Sequence, residues 1–326
     1  MQNRARAETP VLTRRPIRTN EVAQPKILTI ASGKGGVGKS CFAAHIGTML
    51  ARNGYRVLLV DGDFGLANLD ILLNVQHSVE PVATLEQVLM GSATIQEAVV
   101  GIEPGLWLIP ATSGLMDYKD ADYATRENLI RMFEQCPWEM DFIIVDAGAG
   151  IQSNVLSLHD PEFESIVMLT PEPTALTDAY GLIKLLRRNS GIKRASVIVN
   201  RVTDGREGTQ TFQKLKDVAA RFIDVQLDYL GHWQKDEKVT EAVMKRKILL
   251  DLDSGALSVP SLQLLAKRFQ AKFIEGVDDT SSLSQVRAGP ISASPLRTGR
   301  FRDEPAHQAP GNTAGFFRTL LGEVKA

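Results

Sequence analysis

The chain has only two cysteines in 326 residues, Cys41 and Cys136, and they form no C-x-x-C pair. A zinc site built on thiolates, a disulfide framework and a thiol-held iron–sulfur cluster therefore all lack ligands, and a reducing compartment fits. The five histidines, His45, His77, His159, His232 and His307, are scattered without ligand spacing, so no histidine metal site is inferred. No run approaches the roughly 18 apolar residues of a spanning helix, and the arginine-bearing N-terminal stretch has no apolar centre of a secretory signal. Charge of one sign is also missing: 37 Lys and Arg stand against 38 Asp and Glu, a formal net charge of −1. Global attraction to nucleic acid or anionic lipid is not expected, and nucleic acid is not an expected partner. What remains is an ordinary balance of 44% hydrophobic and 23% charged residues, enough for a full core in a cytoplasmic protein.

Against these absences stands one dense motif. Residues 26–40 read KILTIASGKGGVGKS, an apolar strand running into a glycine-rich loop. Gly33, four residues, then Gly38-Lys39-Ser40 fit G-x-x-x-x-G-K-[ST], whose backbone N–H groups cradle phosphates where a helix begins. The run Gly33, Lys34, Gly35, Gly36, Val37, Gly38, Lys39, Ser40 and Cys41 is expected to bind the phosphates of a nucleotide. Lys39 reaches the β- and γ-phosphates, and Ser40 places its hydroxyl on Mg²⁺. An ordinary loop of this kind has no need of a lysine at its second position, so Lys34 has a different task.

Two strand ends add carboxylates. VLLVDGDFGLANLD closes on Asp61 and Asp63, and DFIIVDAGAG closes on Asp146, all at the carboxyl edge where open α/β sheets bind ligands. Asp146 suits a carboxylate that holds Mg²⁺, Asp61 supports the loop and the magnesium shell, and Gly150 lets a backbone approach the γ-phosphate. Phosphoryl transfer needs positioning and charge neutralisation more than covalent chemistry, so this set suffices.

GKGGVGKS resembles the deviant Walker A family that includes MinD, ParA, the arsenite-pump ATPase and the nitrogenase iron protein. The resemblance implies that Lys34 crosses to a partner's nucleotide in an ATP-dependent homodimer and is catalytic with Lys39, while Asp63 orients the attacking water. It also implies that Asn200, with Arg201 beside it, meets adenine. Relatives carry a Val-Ile-Pro segment near the base where this chain has His232-Trp233-Gln234, so Trp233 either stacks on adenine or packs in the core. DGDFGLANLDILL, EPTALTDAYGLIKLL and LWLIPATSG are most similar to the flagellar-number regulators of the FlhG/FleN/YlxH group. That branch implies control of flagellar number or position. Its partners would be an FlhF-like GTPase, a flagellar transcription activator or a basal-body switch protein. The branch's N-terminal D-Q-A-x-x-L-R activator segment is not visible here.

Along the chain, residues 1–25 read as a flexible basic arm. From Lys26, ILTIAS, RVLLVD, LWLIPA, DFIIVDA, SIVMLT, ASVIVN and LDYLGH alternate with amphipathic segments. The alternation predicts a doubly wound, mainly parallel sheet with helices on both faces, a P-loop NTPase domain over 26–275. Helices are predicted near 39–53, 84–99, 121–136, 174–189, 207–222, 236–246 and 258–275. Residues 276–313 read as a disordered linker, and 314–326 as an amphipathic helix bearing Phe316, Phe317, Leu320, Leu321 and Val324. That helix is a candidate for reversible contact with the inner face of the cell membrane.

Overall fold

Strand β1 (Lys26–Ser32) is buried from its second residue onward and lies between two later parallel strands, which places the loop that follows it at the centre of the molecule. The computed structural model describes residues 24–64, 66–75, 83–111, 123–134, 136, 139–150, 155–156 and 158–277. The remainder of the predicted arm, almost all of the predicted linker and the whole 314–326 segment lie outside the described residues.

The other strands are β2 (Val57–Gly62), β3 (Val100–Glu103), β4 (Leu106–Ile109), β5 (Phe142–Ala149), β6 (Glu164–Leu169), β7 (Arg194–Val202) and β8 (Gln226–Gln234). They form one sheet in the order β3-β4-β2-β5-β1-β6-β7-β8. All pairings are parallel except β3 with β4, as the continuous apolar runs require of strands covered on both faces. Strand β5 sits between β2 and β1, with Asp146 in register with Asp61 on one side and Ile30 on the other. The three segments that carry the candidate chemistry thus end side by side.

Helix α1 (Lys39–Arg52) packs on one face of the sheet through Phe42, Ile46, Met49 and Leu50. Each such side chain contributes about 1.5–3 kcal/mol by leaving water. The first turn of α1 contains no acidic residue and its last turn carries Arg52, so the positive end of the helix dipole is left for an anion. Four short or medium helices follow: α2 (Leu69–Leu72), α3 (Leu85–Leu89), α4 (Ile95–Ala98) and α5 (Tyr123–Glu134). Helix α6 (Pro173–Leu185) starts on a proline at its first position and runs on as π-helical turns through Ser190, ending at Gly191 in the left-handed region. Helix α7 (Gly205–Phe222) is capped by Asp204, whose side chain accepts from the Glu207 amide. Helices α8 (Glu237–Met244), α9 (Leu249–Leu252) and α10 (Val259–Phe269) follow, α10 runs on as π-helical turns through Ile274, and it joins α1 on its face through Leu262, Leu265 and Phe269. Leu85, Leu129, Leu182, Phe212 and Leu215 cover the opposite face.

The predicted doubly wound architecture is therefore present, with local differences, among them the short helices α2 and α9, which no predicted segment covers. The single helix predicted over 84–99 is two short helices, each opened by a capping box, Thr84 with Gln87 and Thr94 with Glu97. Strand β3, absent from the predicted set, adds an antiparallel edge.

Candidate nucleotide and magnesium site

The loop between β1 and α1 is shaped by its glycines and by two distant contacts. Gly38 has φ +97°, a left-handed value open to glycine, and a Cβ there would lie 2.7 Å from the Asn200 side-chain nitrogen. A Cβ on Gly33 would lie 2.1 Å from the Asp178 carbonyl oxygen, so α6 rests directly on the first glycine of the loop. The Ser32 hydroxyl donates to the Lys34 carbonyl at 2.7 Å and ties the loop back to its strand.

The two loop lysines have opposite environments. Lys39, the first residue of α1, is buried. Desolvation lowers its pKa, and the charges of Asp146 and Asp63 partly oppose that shift. Lys34 is partly exposed and turned aside: its ammonium donates to Glu172 Oε2 at 2.9 Å and to Thr174 Oγ1 at 3.3 Å, on the first turn of α6 and the residue before it. The Lys34 hydrogen bond holds the Glu172 carboxyl below its usual range. Sequence reasoning assigned nothing to Glu172 and Thr174. The signal available was an acid immediately before a Pro-started helix at the end of an inner strand, in EPT.

Among the acids, Asp146 has both carboxylate oxygens buried without a hydrogen-bond partner. Burial first, then the charge of Asp61, pushes it up to about 7, while Lys39 pulls the other way. The Ser40 hydroxyl also lowers it, approaching without the geometry of a full hydrogen bond. Buried polar atoms are almost always satisfied, so this orphaned carboxylate beside a serine hydroxyl fits a hard, oxygen-seeking cation such as Mg²⁺. Asp61 is placed differently. Its Oδ1 accepts from the Asp63 amide at 3.1 Å, and its Oδ2 accepts from the Asn68 and Leu69 amides, each at 3.0 Å. Three of its lone pairs thus fold the segment after β2 back onto the strand end, the loop-supporting part of the expectation for Asp61. Burial raises Asp61 to about 6 despite those three bonds. Asp63 leans over the end of β5, its Oδ1 3.4 Å from where a Cβ on Gly148 would be.

The base-binding residues divide. Asn200 is buried at the end of β7 and its side chain meets the loop itself, donating to the Val37 carbonyl at 2.7 Å. Arg201 follows with φ +57° and is exposed. Trp233 does not reach the base region: it is 2% exposed and packs 5.8 Å from Phe42 and 5.3 Å from His45, measured between ring centres. Of the two possibilities left by the sequence, core packing holds. His45 has a structural role: it accepts from the Leu249 amide through Nε2 at 3.0 Å, which leaves Nδ1–H to donate to the Cys41 carbonyl at 2.6 Å. Burial lowers it to about 4, so it stays neutral and fastens α9 to α1. The Cys41 thiol is pushed up to about 12 by burial, which disfavours the reactive thiolate.

The orphaned carboxylate has a measurable consequence. An acid whose folded pKa stands above its unfolded value destabilises the fold above the folded pKa, and that penalty fades as pH falls through about 7 toward 3.8. Nucleotide-free Asp146→Asn is accordingly expected to melt higher than wild type at pH 8, by roughly 5 °C, from about 2 kcal/mol of relieved desolvation. The gap should close toward pH 4. Scanning calorimetry at both pH values checks it, and a lower melting point for the variant at pH 8 would show that the carboxylate carries no such burden.

The family comparison agrees with this geometry. Residues 28–250 match the CobQ/CobB/MinD/ParA nucleotide binding domain. The chain is 35% identical to the antiactivator FleN of Pseudomonas aeruginosa over 226 residues, 69% of this chain and 79% of that protein. It is 34% identical to the flagellum site-determining protein YlxH of Helicobacter pylori, covering 77% of this chain and 84% of that one. The septum site-determining protein MinD of Synechocystis is 33% identical, with 78% and 92% covered. Among solved structures, MinD with Mg-ADP from Pyrococcus horikoshii superposes with a TM-score of 0.62 at 22% identity, covering 78% of this chain and 99% of that one, a likeness of fold. The matched residues take in the glycine loop and the acidic strand ends, and the chain belongs to the CobQ/CobB/MinD/ParA nucleotide-binding family.

Proposed function

We propose that the chain is an ATPase of the deviant Walker A type that pairs with a second copy across bound nucleotide and regulates the number or placement of flagella. The observation that carries this reading is the division of labour between the lysines. Lys39 is buried among the carboxylates of its own site, whereas Lys34 stands at the mouth on Glu172 and Thr174, free to exchange those neutral and acidic partners for a second subunit's phosphates. Mg²⁺ would be held by Ser40 and Asp146. It would supply charge neutralisation on the phosphates, while Gly33 to Cys41 hold them and Asp63 positions water.

The flagellar role is supported by the two flagellar relatives, whose identity spans most of each protein. A MinD-type role at the division site is the second reading, supported by the Synechocystis protein. Under the first reading, an FlhF-like GTPase, a flagellar activator or a basal-body switch protein is the partner class, and the 314–326 segment provides peripheral membrane contact from the cytoplasm.

Magnesium-dependent phosphate release together with sedimentation tests the switch. Wild type should sediment as a dimer with ATP, and Lys34→Ala should remain a monomer with phosphate release at least tenfold lower. Equal behaviour of the two proteins would remove the pairing, and no phosphate above the spontaneous rate would leave an ATP-binding protein without turnover. Deleting the gene in its host then separates the two roles: a changed flagellar count in cells of normal length supports the first, and displaced septa support the second.

A further inference from the structure

We propose that Asn200 is a positioning residue for the phosphate loop, acting as a brace that aims the loop's backbone N–H groups, a role separate from reading the base and resting on the nucleotide-site reading above. Its side chain lies across the loop from the end of β7, 163 positions away in sequence. The amide nitrogen donates to the Val37 carbonyl at 2.7 Å, and the amide oxygen accepts from the Arg201 backbone at 2.8 Å. Those two partners fix which end of the amide is which, since a carbonyl only accepts and an N–H only donates. Asn200 is 4% exposed and its bond to Val37 is buried, so losing that bond leaves a buried polar group unpaired, while the bond to Arg201 is partly buried.

The planarity of the peptide bond turns this contact into a functional one. In a trans peptide the C=O and N–H point in opposite directions. Fastening the Val37 carbonyl toward β7 therefore aims the Gly38 N–H away from β7, toward the side where the loop curls around an anion. The next peptide is fixed as well, because the Gly38 carbonyl accepts from Phe42 at 2.9 Å as the first turn of α1. Gly38 is thus held on both sides in its left-handed conformation, and its missing Cβ is what lets the Asn200 nitrogen come so close. Arg201, itself at φ +57°, sits where the β7–β8 register shifts, and the Asn200 oxygen caps that kink. One side chain joins the end of β7 to the loop, leaving its second amide N–H for a ligand.

A base reader and a brace make different demands on a ligand without a base. The experiment measures the affinities of wild type, Asn200→Ala and Asn200→Asp for ATP and for inorganic tripolyphosphate, both with Mg²⁺. It adds hydrogen exchange of the backbone over residues 33–40 in the nucleotide-free proteins. The brace predicts that Asn200→Ala weakens ATP and tripolyphosphate by the same factor, about tenfold, and speeds exchange in the loop while leaving exchange in β1 and β5 unchanged. Asn200→Asp keeps the acceptor for Arg201 but cannot donate to Val37, so it should show the same fast exchange. Weakened ATP with unchanged tripolyphosphate would make Asn200 a base reader alone and overturn the brace. Wild-type exchange in Asn200→Asp would overturn it too, by assigning the role to the Arg201 kink. A wild type that binds neither ligand would sink the nucleotide-site reading and the brace with it, whereas the first two outcomes sink the brace and leave that reading standing.

Discussion

Lys39→Ala is expected to bind ATP at least about 100-fold more weakly than wild type while keeping its fold. The ammonium is buried where α1 begins, and desolvation already lowers its pKa, so it is a charge held at a cost for a purpose other than stability. Without nucleotide it faces Asp146 and Asp63. With a triphosphate it is the cation inside the cradle, and alanine would leave several phosphate oxygens to the backbone N–H groups alone. A second effect runs in the same direction. Burial and Asp61 raise Asp146 to about 7 even with Lys39 pulling the other way, so removing Lys39 favours the protonated acid further and weakens magnesium binding at neutral pH. Calorimetric titration with Mg-ATP measures both losses. Affinity within a factor of three of wild type would remove Lys39 from the phosphate site.

The elements that build the candidate site were legible in the sequence because they are local: a strand, a loop and a helix start occupy fifteen consecutive residues, and Asp61 and Asp146 each close an apolar run. The sheet was legible for the same reason, since parallel strands buried on both faces announce themselves as continuous apolar stretches. What escaped depends on chain folding back on itself. The partners through which Asp61 supports the loop, the Asn68 and Leu69 amides, return to the strand end by a path that no spacing rule encodes. His45 fastens a segment 204 positions away, and Glu172 holds a lysine 138 positions before it. The four residues of β3 were too short for an alternating pattern to stand out from the helical one before them. The break within the predicted 84–99 helix was available, however: Thr84-x-x-Gln87 and Thr94-x-x-Glu97 are both capping-box spacings, and Gly91 with φ +71° lies between them. Trp233 was undecidable from sequence, because an aromatic at a strand end serves a base or a core equally well; burial against Phe42 and His45 decides it.

Asp63→Ala should separate binding from chemistry, retaining ATP affinity within about threefold and losing phosphate release by about 100-fold or more. The separation follows from which part of Asp63 does what. Its backbone N–H donates to Asp61 and helps to fold the segment after β2, and that bond survives substitution because the amide remains. Only the carboxylate is lost, from its place over the end of β5 beside Gly148, on the same strand as Asp146. The loop glycines, Lys39, Ser40 and the Asp146 carboxylate are untouched, so the cradle and the magnesium site should still fill. If the proposed pairing of two copies depends on intact ATP, a variant that cannot hydrolyse it should accumulate as a dimer. Sedimentation with ATP and single-turnover phosphate release then give two independent readings. Wild-type phosphate release would move the water-orienting role to another residue. A loss of ATP affinity as large as that of Lys39→Ala would instead place the Asp63 side chain among the groups that hold the nucleotide.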